Sequence, residues 1–509
     1  MRRVLAELPE TLDGTYERIL QEIPKSNRVH SHRLLQCLTV AVRPLRVEEL
    51  AEILAIDFST SEGIPKLNEA LRCEDQEQAV LSACSSLIAV IRDEYKDFRV
   101  VQFSHFSVKE FLTSDRLAMS NLGAARYHHI PLGPAHATMA QACLGVLLQF
   151  NSHTDKATIK TFPLAEYAAN HFNDHVEFED ILPYIRGGVD YLLDANESHF
   201  AAWYWVHQGC PTVHPQRPEV IPLHYVSGRG YRRLVYYLIS KCPEDVNVSG
   251  DHGTPLHAAL DGEHIDVAEL LVGHCADVEV RDSLDRTPLH LAAYHGFLGV
   301  TRTLVELNAD INARDNFGNT PLHRAIHEWN VESQSLRDRR VGVIKFLLEH
   351  GANPDAKNDN HSSPLHQASY YGSVKGVQLM LGHGANTRAR NKKGQTPLHR
   401  VLTGLEDDNL FLGNCLNTVR CLLEHGADID SLDDDRATPL HVSSYWGCAK
   451  AVRLMLEHRA NVHLQDNEGR TPFQVALALG RKKITQLLSE HLQSQENMTQ
   501  FQVMSRSSR

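Results

Sequence analysis

No glycine in this chain is followed by lysine, so the loop that cradles nucleotide phosphates in P-loop hydrolases is missing. No Gly-x-Ser-x-Gly elbow and no His-Glu-x-x-His pair occurs, and His327-Glu328-Trp329 stops short of the latter. Serine-hydrolase and zinc-peptidase chemistry therefore lack their usual signatures. The ten cysteines include no Cys-x-x-Cys pair, which reads as the scattered reduced thiols of a cytoplasmic protein rather than a zinc or disulfide framework. Apolar runs never approach the ~18 residues that a membrane span needs. The start Met1-Arg2-Arg3 is basic, but Glu7 and Glu10 arrive before an apolar signal segment can form. Without a secretion signal, the acceptor triplets Asn196-Glu-Ser198 and Asn497-Met-Thr499 are chance matches. Cations are the minority, 51 Lys and Arg against 63 Asp and Glu, for a formal charge of −12. That balance argues against nucleic acid or an anionic membrane as the main partner.

What the chain does have is a repeat. Pro-Leu-His occurs after Ile221, Thr254, Thr287, Thr320, Ser363, Thr396 and Thr438, placing His224, His257, His290, His323, His366, His399 and His441 at one position, and Thr471-Pro-Phe-Gln474 closes the series. Proline-to-proline steps are 33, 33, 33, 43, 33, 42 and 33 residues. A fixed period of this length means stacked units, none able to bury its apolar face alone. Proline suits the first helical turn, and the preceding Thr or Ser can cap it. A second apolar helix follows, as in Val341, Val343, Ile344, Phe346, Leu347 and Leu348, and closes at Gly351. Residues 312–319 then read as a turn between extended arms. The pattern resembles the ankyrin repeat over residues 217–492, in eight units.

Thirty-one histidines invite a metal reading. The repeat accounts for many of them. The Pro-Leu-His set and His274, His350, His383, His425 and His458 at second-helix ends are expected to tie backbone or close helices, and no metal or cofactor is expected. Cys275 and Arg459 stand where the closing glycine belongs, and a side chain there costs about 1 kcal/mol if φ stays positive. Asn308 tolerates that conformation better. The eighth unit loses Leu-His and runs into Arg481-Lys482-Lys483, as a terminal cap should. A disordered polar tail is expected over 493–509.

The long steps place extra residues at about 329–339 and 404–414, between the two helices of units four and six. Both insertions should emerge on the same edge, about 20 Å apart. Units three, five and seven carry Tyr294-His295, Tyr370-Tyr371 and Tyr445-Trp446 instead. The resemblance puts these positions near the end of the first helix, on the binding surface. They point to a groove floored by rings and walled by the insertions, with Tyr and Trp as anchors; neutral repeat filler and plain surface loops are the competing account. Hairpin tips add Phe317 in unit four, Arg388, Arg390, Lys392 and Lys393 in unit six, and Asp433, Asp434 and Asp435 in unit seven. These charges are either solvated surface or a device that sets a partner's register.

In the N-terminal half, Leu12, Tyr16, Ile19 and Ile23 share a helical face, Leu34, Leu35, Leu38 and Ala41 mark a second helix, and 47–54 a third. Strands are expected at 87–91 and 99–103. Three helices and a hairpin is a winged-helix order. The segments Tyr16-Glu-Arg-Ile-Leu20, Arg43-Pro-Leu-Arg-Val-Glu-Glu-Leu-Ala51 and Phe103-Ser-His-Phe-Ser-Val-Lys-Glu-Phe-Leu112 resemble the winged-helix segment of fungal NACHT-type signalling NTPases, also named for the inositol deacylase of lipid anchors. The stretch 162–169 and Phe200-Ala-Ala-Trp203 resemble the helical region that leads into ankyrin repeats. DNA binding is disfavoured: residues 1–120 hold 15 Lys and Arg against 19 Asp and Glu, a net of −4. Pairs such as Glu48-Glu49 read as solvated helix charges.

These readings combine into a mainly α protein: a winged helix over 1–120, a helical connector over 121–215 and an ankyrin solenoid over 217–492. The resemblance implies a non-enzymatic interaction protein whose partner is another protein, the sensor or scaffold half of a NOD-like signalling receptor. The alternatives are a truncated signalling NTPase whose P-loop domain lies upstream of Met1, or a substrate adaptor of a larger complex.

Overall fold

The computed structural model describes residues 12–58, 64–84, 86–92, 98–194, 198–210, 221–250, 252–326, 334–405 and 412–507. The chain forms two compact units. One comprises the chain up to Val226 with Tyr231–Lys241, the other Ser227–Gly230 with everything from Cys242 onward.

The first unit opens with helices Leu12–Glu22, Arg28–Val40 and Val47–Leu54. Leu45–Arg46 pairs antiparallel with Arg99–Phe103, which pairs with Ile88–Arg92. This is the winged-helix arrangement; the expected turn falls on residues 93–97, outside the described residues. A further helix, Gln76–Cys84, precedes the hairpin. The reading of sequence missed it, because its first turn is polar and, among its described side chains, Val80 alone is buried. Behind this domain, the Ala- and Leu-rich helix Leu132–Leu147 packs against Arg28–Val40 and Ala165–Val176. Trp203 is fully buried and donates its Nε1–H to the Ala169 carbonyl at 3.1 Å.

Glu49 is not a solvated helix charge. Its side chain is wholly buried. It accepts from Arg43 Nη1 at 2.9 Å and Nη2 at 2.6 Å, from Arg46 Nε at 2.9 Å and from the Arg46 backbone N–H at 2.7 Å. One turn on, buried Glu52 accepts from the Leu164 N–H at 2.7 Å and from Arg72 at 2.5 Å. Helical spacing puts both carboxylates on one inward face. The Pro44 break turns Arg43 back onto Glu49.

The first repeat is divided between the two units. Most of its helix Pro222–Gly228 and all of Arg232–Lys241 belong to the N-terminal unit. Tyr237 donates to Asp190 at 2.5 Å, Arg233 N–H to Glu177 at 2.9 Å, and the Trp203 and Tyr225 rings meet edge to face at 5.2 Å. These contacts set it against the connector helices.

In the second unit, each repeat contributes a first helix beginning at the motif proline and a second apolar helix. Six motif histidines bind alike. Nδ1 accepts from the N–H of the capping Thr or Ser at 3.1–3.2 Å, with that residue's hydroxyl also 2.8–2.9 Å away. Nε2–H donates to a carbonyl of the next repeat, at Arg286, Asn319, Ser362, Gln395, Ala437 and Arg470, at 3.0–3.1 Å. One imidazole thus closes its own helix start and fastens the neighbouring unit. At second-helix ends, His274, His350, His383 and His425 donate to the carbonyl four residues back at 2.8–2.9 Å.

The repeat margins correct one expectation, the disordered tail, and one competing account, that the insertions are plain surface loops. The insertions are not wholly loops: Gln334–Glu349 and Leu412–Glu424 have 16 and 13 residues, where the second helices Leu298–Glu306, Val374–Gly382 and Ala449–Glu457 have nine. Residues 334–340 and 412–415 therefore lengthen their helices at the N-terminus. Residues 327–333 and 406–411 lie outside the described residues. The expected disordered tail instead continues the helix Lys482–Ser507. Its start is rich in helix formers, with a Gln486–Glu490 hydrogen bond at i,i+4.

Cys275, Asn308 and Arg459 adopt φ of 64°, 65° and 63° at the glycine position. Arg459→Gly and Cys275→Gly should each raise stability by about 1 kcal/mol in urea unfolding of the full chain, with a smaller gain at Asn308.

Candidate recognition surface

Turn geometry sets the hairpin tips. In six repeats a side-chain oxygen six residues before the motif proline accepts two tip amides: Asp282 from Leu284 and Arg286, Asp315 from Phe317 and Asn319, Asn358 from Asn360 and Ser362, Asn391 from Lys393 and Gln395, Asp433 from Asp435 and Ala437, Asp466 from Glu468 and Arg470, all at 2.8–3.0 Å. Successive tips are joined by backbone bonds such as Asp359 N–H to Phe317 O at 3.0 Å and Lys392 N–H to Asn360 O at 2.9 Å. Phe317 stands exposed on its tip, as do Lys392, Lys393 and Asp434. Asp433 does not belong with them: it is buried and consumed by its own turn. Burial and its acidic neighbours push its carboxyl above the usual range, against the two amides. The opposite charges on neighbouring tips partly satisfy one another, with Arg390 and Asp434 paired at 2.9 Å.

The ring pairs lie at the ends of the first helices Pro288–His295, Pro364–Tyr370 and Pro439–Trp446. Tyr370 is 41% and Tyr445 53% exposed, while Tyr294, His295, Tyr371 and Trp446 are half-buried. Within each pair the rings meet at steep angles, 4.9–5.5 Å apart. His295 is held below the usual imidazole range by burial, against the pull of Glu263 at 3.5 Å.

The next repeat presses on each pair. Arg340, fully buried, donates to the Tyr294 carbonyl and lies 4.7 Å from the centre of its ring. Arg481 donates to the Tyr445 carbonyl at 3.2 Å. Cys415 takes the corresponding place over Gly372. Once the insertion is discounted, all three follow their motif proline by the same interval. The reading of sequence missed them, though aligning the repeats would have revealed the shared position. Gly296 (φ 72°) and Gly447 (φ 96°) leave the space, since a Cβ at either would sit within 3.1 Å of Arg339 or Arg481.

The described parts of both insertions border one cleft of about 440 Å³, with Gln334, Arg337 and Asp338 on one side, Asn414 and Asn417 on the other, and Gly372 and Lys375 between. Asp338 and Lys375 are paired across it at 3.2 Å. Among the described residues no three of His, Cys, Asp and Glu converge as a metal site requires, and no helix is long and apolar enough to cross a membrane.

Comparison with known proteins follows the same division. The family model described as "Ankyrin repeats (3 copies)" matches residues 189–282, 223–315, 275–336, 336–407 and 410–500. The chain belongs to the ankyrin-repeat family. "GPI inositol-deacylase, winged helix domain" matches residues 16–122. The chain is similar to the "Azaphilone pigments biosynthesis cluster protein L" of Monascus ruber, 30% identical over 296 residues, which are 54% of this chain. The match spans 61% of that relative's length, less than two thirds. Ankyrin stacks are protein–protein interaction modules, and this chain joins one to a winged-helix domain.

Proposed function

We propose that this chain is a non-catalytic recognition protein whose ankyrin stack binds a protein partner across its concave face and hairpin tips. The observation that carries this reading is the ring pair repeated at one helical position in alternate repeats, with Tyr370 and Tyr445 well exposed. Such rings are favoured anchors, and rigid neighbours such as Arg340 and Arg481 keep them in place. No metal, cofactor, nucleic acid or membrane enters the reading. A cytoplasmic location is supported by scattered free thiols. The order of winged helix then ankyrin repeats supports a role as the sensor or scaffold half of a NACHT-type receptor, in which the N-terminal unit couples recognition to an effector. The name of the Monascus relative favours a second reading, an interaction protein serving a biosynthetic gene cluster.

Affinity capture with the wild type beside the Tyr370→Ala, Tyr371→Ala, Tyr445→Ala, Trp446→Ala variant tests the surface. The variant should lose the captured partner by at least about tenfold while keeping its helical circular dichroism. Undiminished capture would remove the rings from recognition. Hydrolysis of a nucleotide or ester by the purified chain would overturn the non-catalytic reading.

A further inference from the structure

The fourth residue of the motif helix is arginine in two repeats, Arg324 and Arg400. Their surroundings differ by one counter-charge. Arg324 is paired through Nε with Asp315 at 2.7 Å, the acidic residue six places before its proline. The corresponding residue for Arg400 is Asn391. Its amide oxygen is taken by two tip amides and its Nδ2 faces Gln395 at 3.3 Å. Among the described residues, no carboxylate pairs with Arg400. Its guanidinium lies 4.3 Å from the centre of the exposed Tyr370 ring. It is half-buried, and burial holds it below its ordinary value, with Tyr370 and Tyr371 pulling the other way.

A desolvated cation with unmet donors favours an anion, and a guanidinium's planar fork matches a carboxylate. Exposed Lys392 and Lys393 stand on the tip of the same repeat and add positive charge. This local surplus occurs in a chain of net charge −12. We infer that Arg400, backed by Tyr370, is the anchor for an aspartate or glutamate side chain of a partner peptide. This rests on the reading of the stack as a protein-recognition surface and names the partner's chemistry. A carboxylate stacked there would gain the fork's two hydrogen bonds without the chain having to break an internal pair. At Arg324 the same gain is unavailable, because Asp315 already occupies the fork.

A random peptide display library panned on the full chain tests this, with the enriched peptides then titrated against variants. Enriched peptides should share an Asp or Glu. Their Kd should rise about tenfold or more in Arg400→Leu, and also in Asn391→Asp, which recreates the Arg324–Asp315 arrangement. Replacing the peptide's carboxylate by its amide should cost the same on wild type and nothing further on Arg400→Leu. If Arg400→Leu does not fold, Asn391→Asp carries the test, since Asp282, Asp315, Asp433 and Asp466 already occupy that position. Peptides without a shared carboxylate, or bound equally by both variants yet weakened by Tyr445→Ala, would overturn the role of Arg400 and leave the recognition surface standing. Absence of any enriched peptide would overturn both. Retention of a single-stranded oligonucleotide through Arg400 would overturn the choice of a peptide carboxylate.

Discussion

Lowering the pH from 7.5 to 4.5 should unfold the ankyrin stack, in a window where surface carboxylates are still largely ionised. His290, His323, His366 and His399 are each held to about 4, first by burial, against an ordinary value of 6.5. His257 and His441 are lowered in the same direction and for the same first cause. The unfolded chain takes up protons below 6.5, while the folded one declines them until about 4. The unfolded state therefore binds more protons across this interval, and stability falls as pH drops through it. The reason is in the bonding: Nδ1 accepts from an amide and Nε2 is already a donor, so a proton on Nδ1 faces a donor in a dry site. Each of the four carries a penalty of about 3 kcal/mol once fully opposed, which together is comparable to the whole stability of an ordinary domain. Urea midpoints by circular dichroism at pH 7.5, 6.0, 5.0 and 4.5 should fall steeply below 6. The eighth repeat shows what a non-titrating residue does at this position: Gln474 accepts from the Thr471 N–H at 2.8 Å. His366→Gln should accordingly flatten the pH slope, at the cost of the bond to Gln395. A midpoint unchanged down to pH 5 would refute the account.

Glu49→Ala should be among the most damaging single substitutions in the N-terminal unit. It strips the counter-charge from Arg43 and Arg46, whose side chains are only 34% and 26% exposed, and leaves the start of Val47–Leu54 without its side-chain cap. Removing one partner of a buried ion pair costs about 3–5 kcal/mol, because the survivor cannot recover its hydration. Hydrogen bonds and both arginines hold the Glu49 carboxyl below the usual range, even though burial, the largest single influence, raises it. Glu49→Gln keeps the shape and loses the charge, so it should fall between wild type and Glu49→Ala in thermal unfolding. Glu48→Ala, one residue away, should change little. Equal effects at 48 and 49 would mean that the buried network contributes nothing.

The repeat architecture was legible in the sequence because it is written in short-range terms. A 33-residue period, a proline in the first turn and a histidine three residues after each cap specify helix starts and unit boundaries without reference to distant residues. The left-handed φ at Cys275, Asn308 and Arg459 follows from the same register. The ring pairs were also visible, since their position is counted from the proline. The helix Gln76–Cys84 was not, as its polar first turn, Gln76-Glu77-Gln78, leaves little periodicity to detect.

The sequence by itself determined the stack and the winged-helix order, both of them consequences of local spacing. Only the tertiary structure decided which charges are buried and which are matched. Glu52 meets an amide at Leu164, Arg340 reaches back to Tyr294, and Arg400 finds a tyrosine but, among the described residues, no carboxylate. Those outcomes depend on desolvation and on neighbours far away along the chain, and neither is encoded in the period of a repeat.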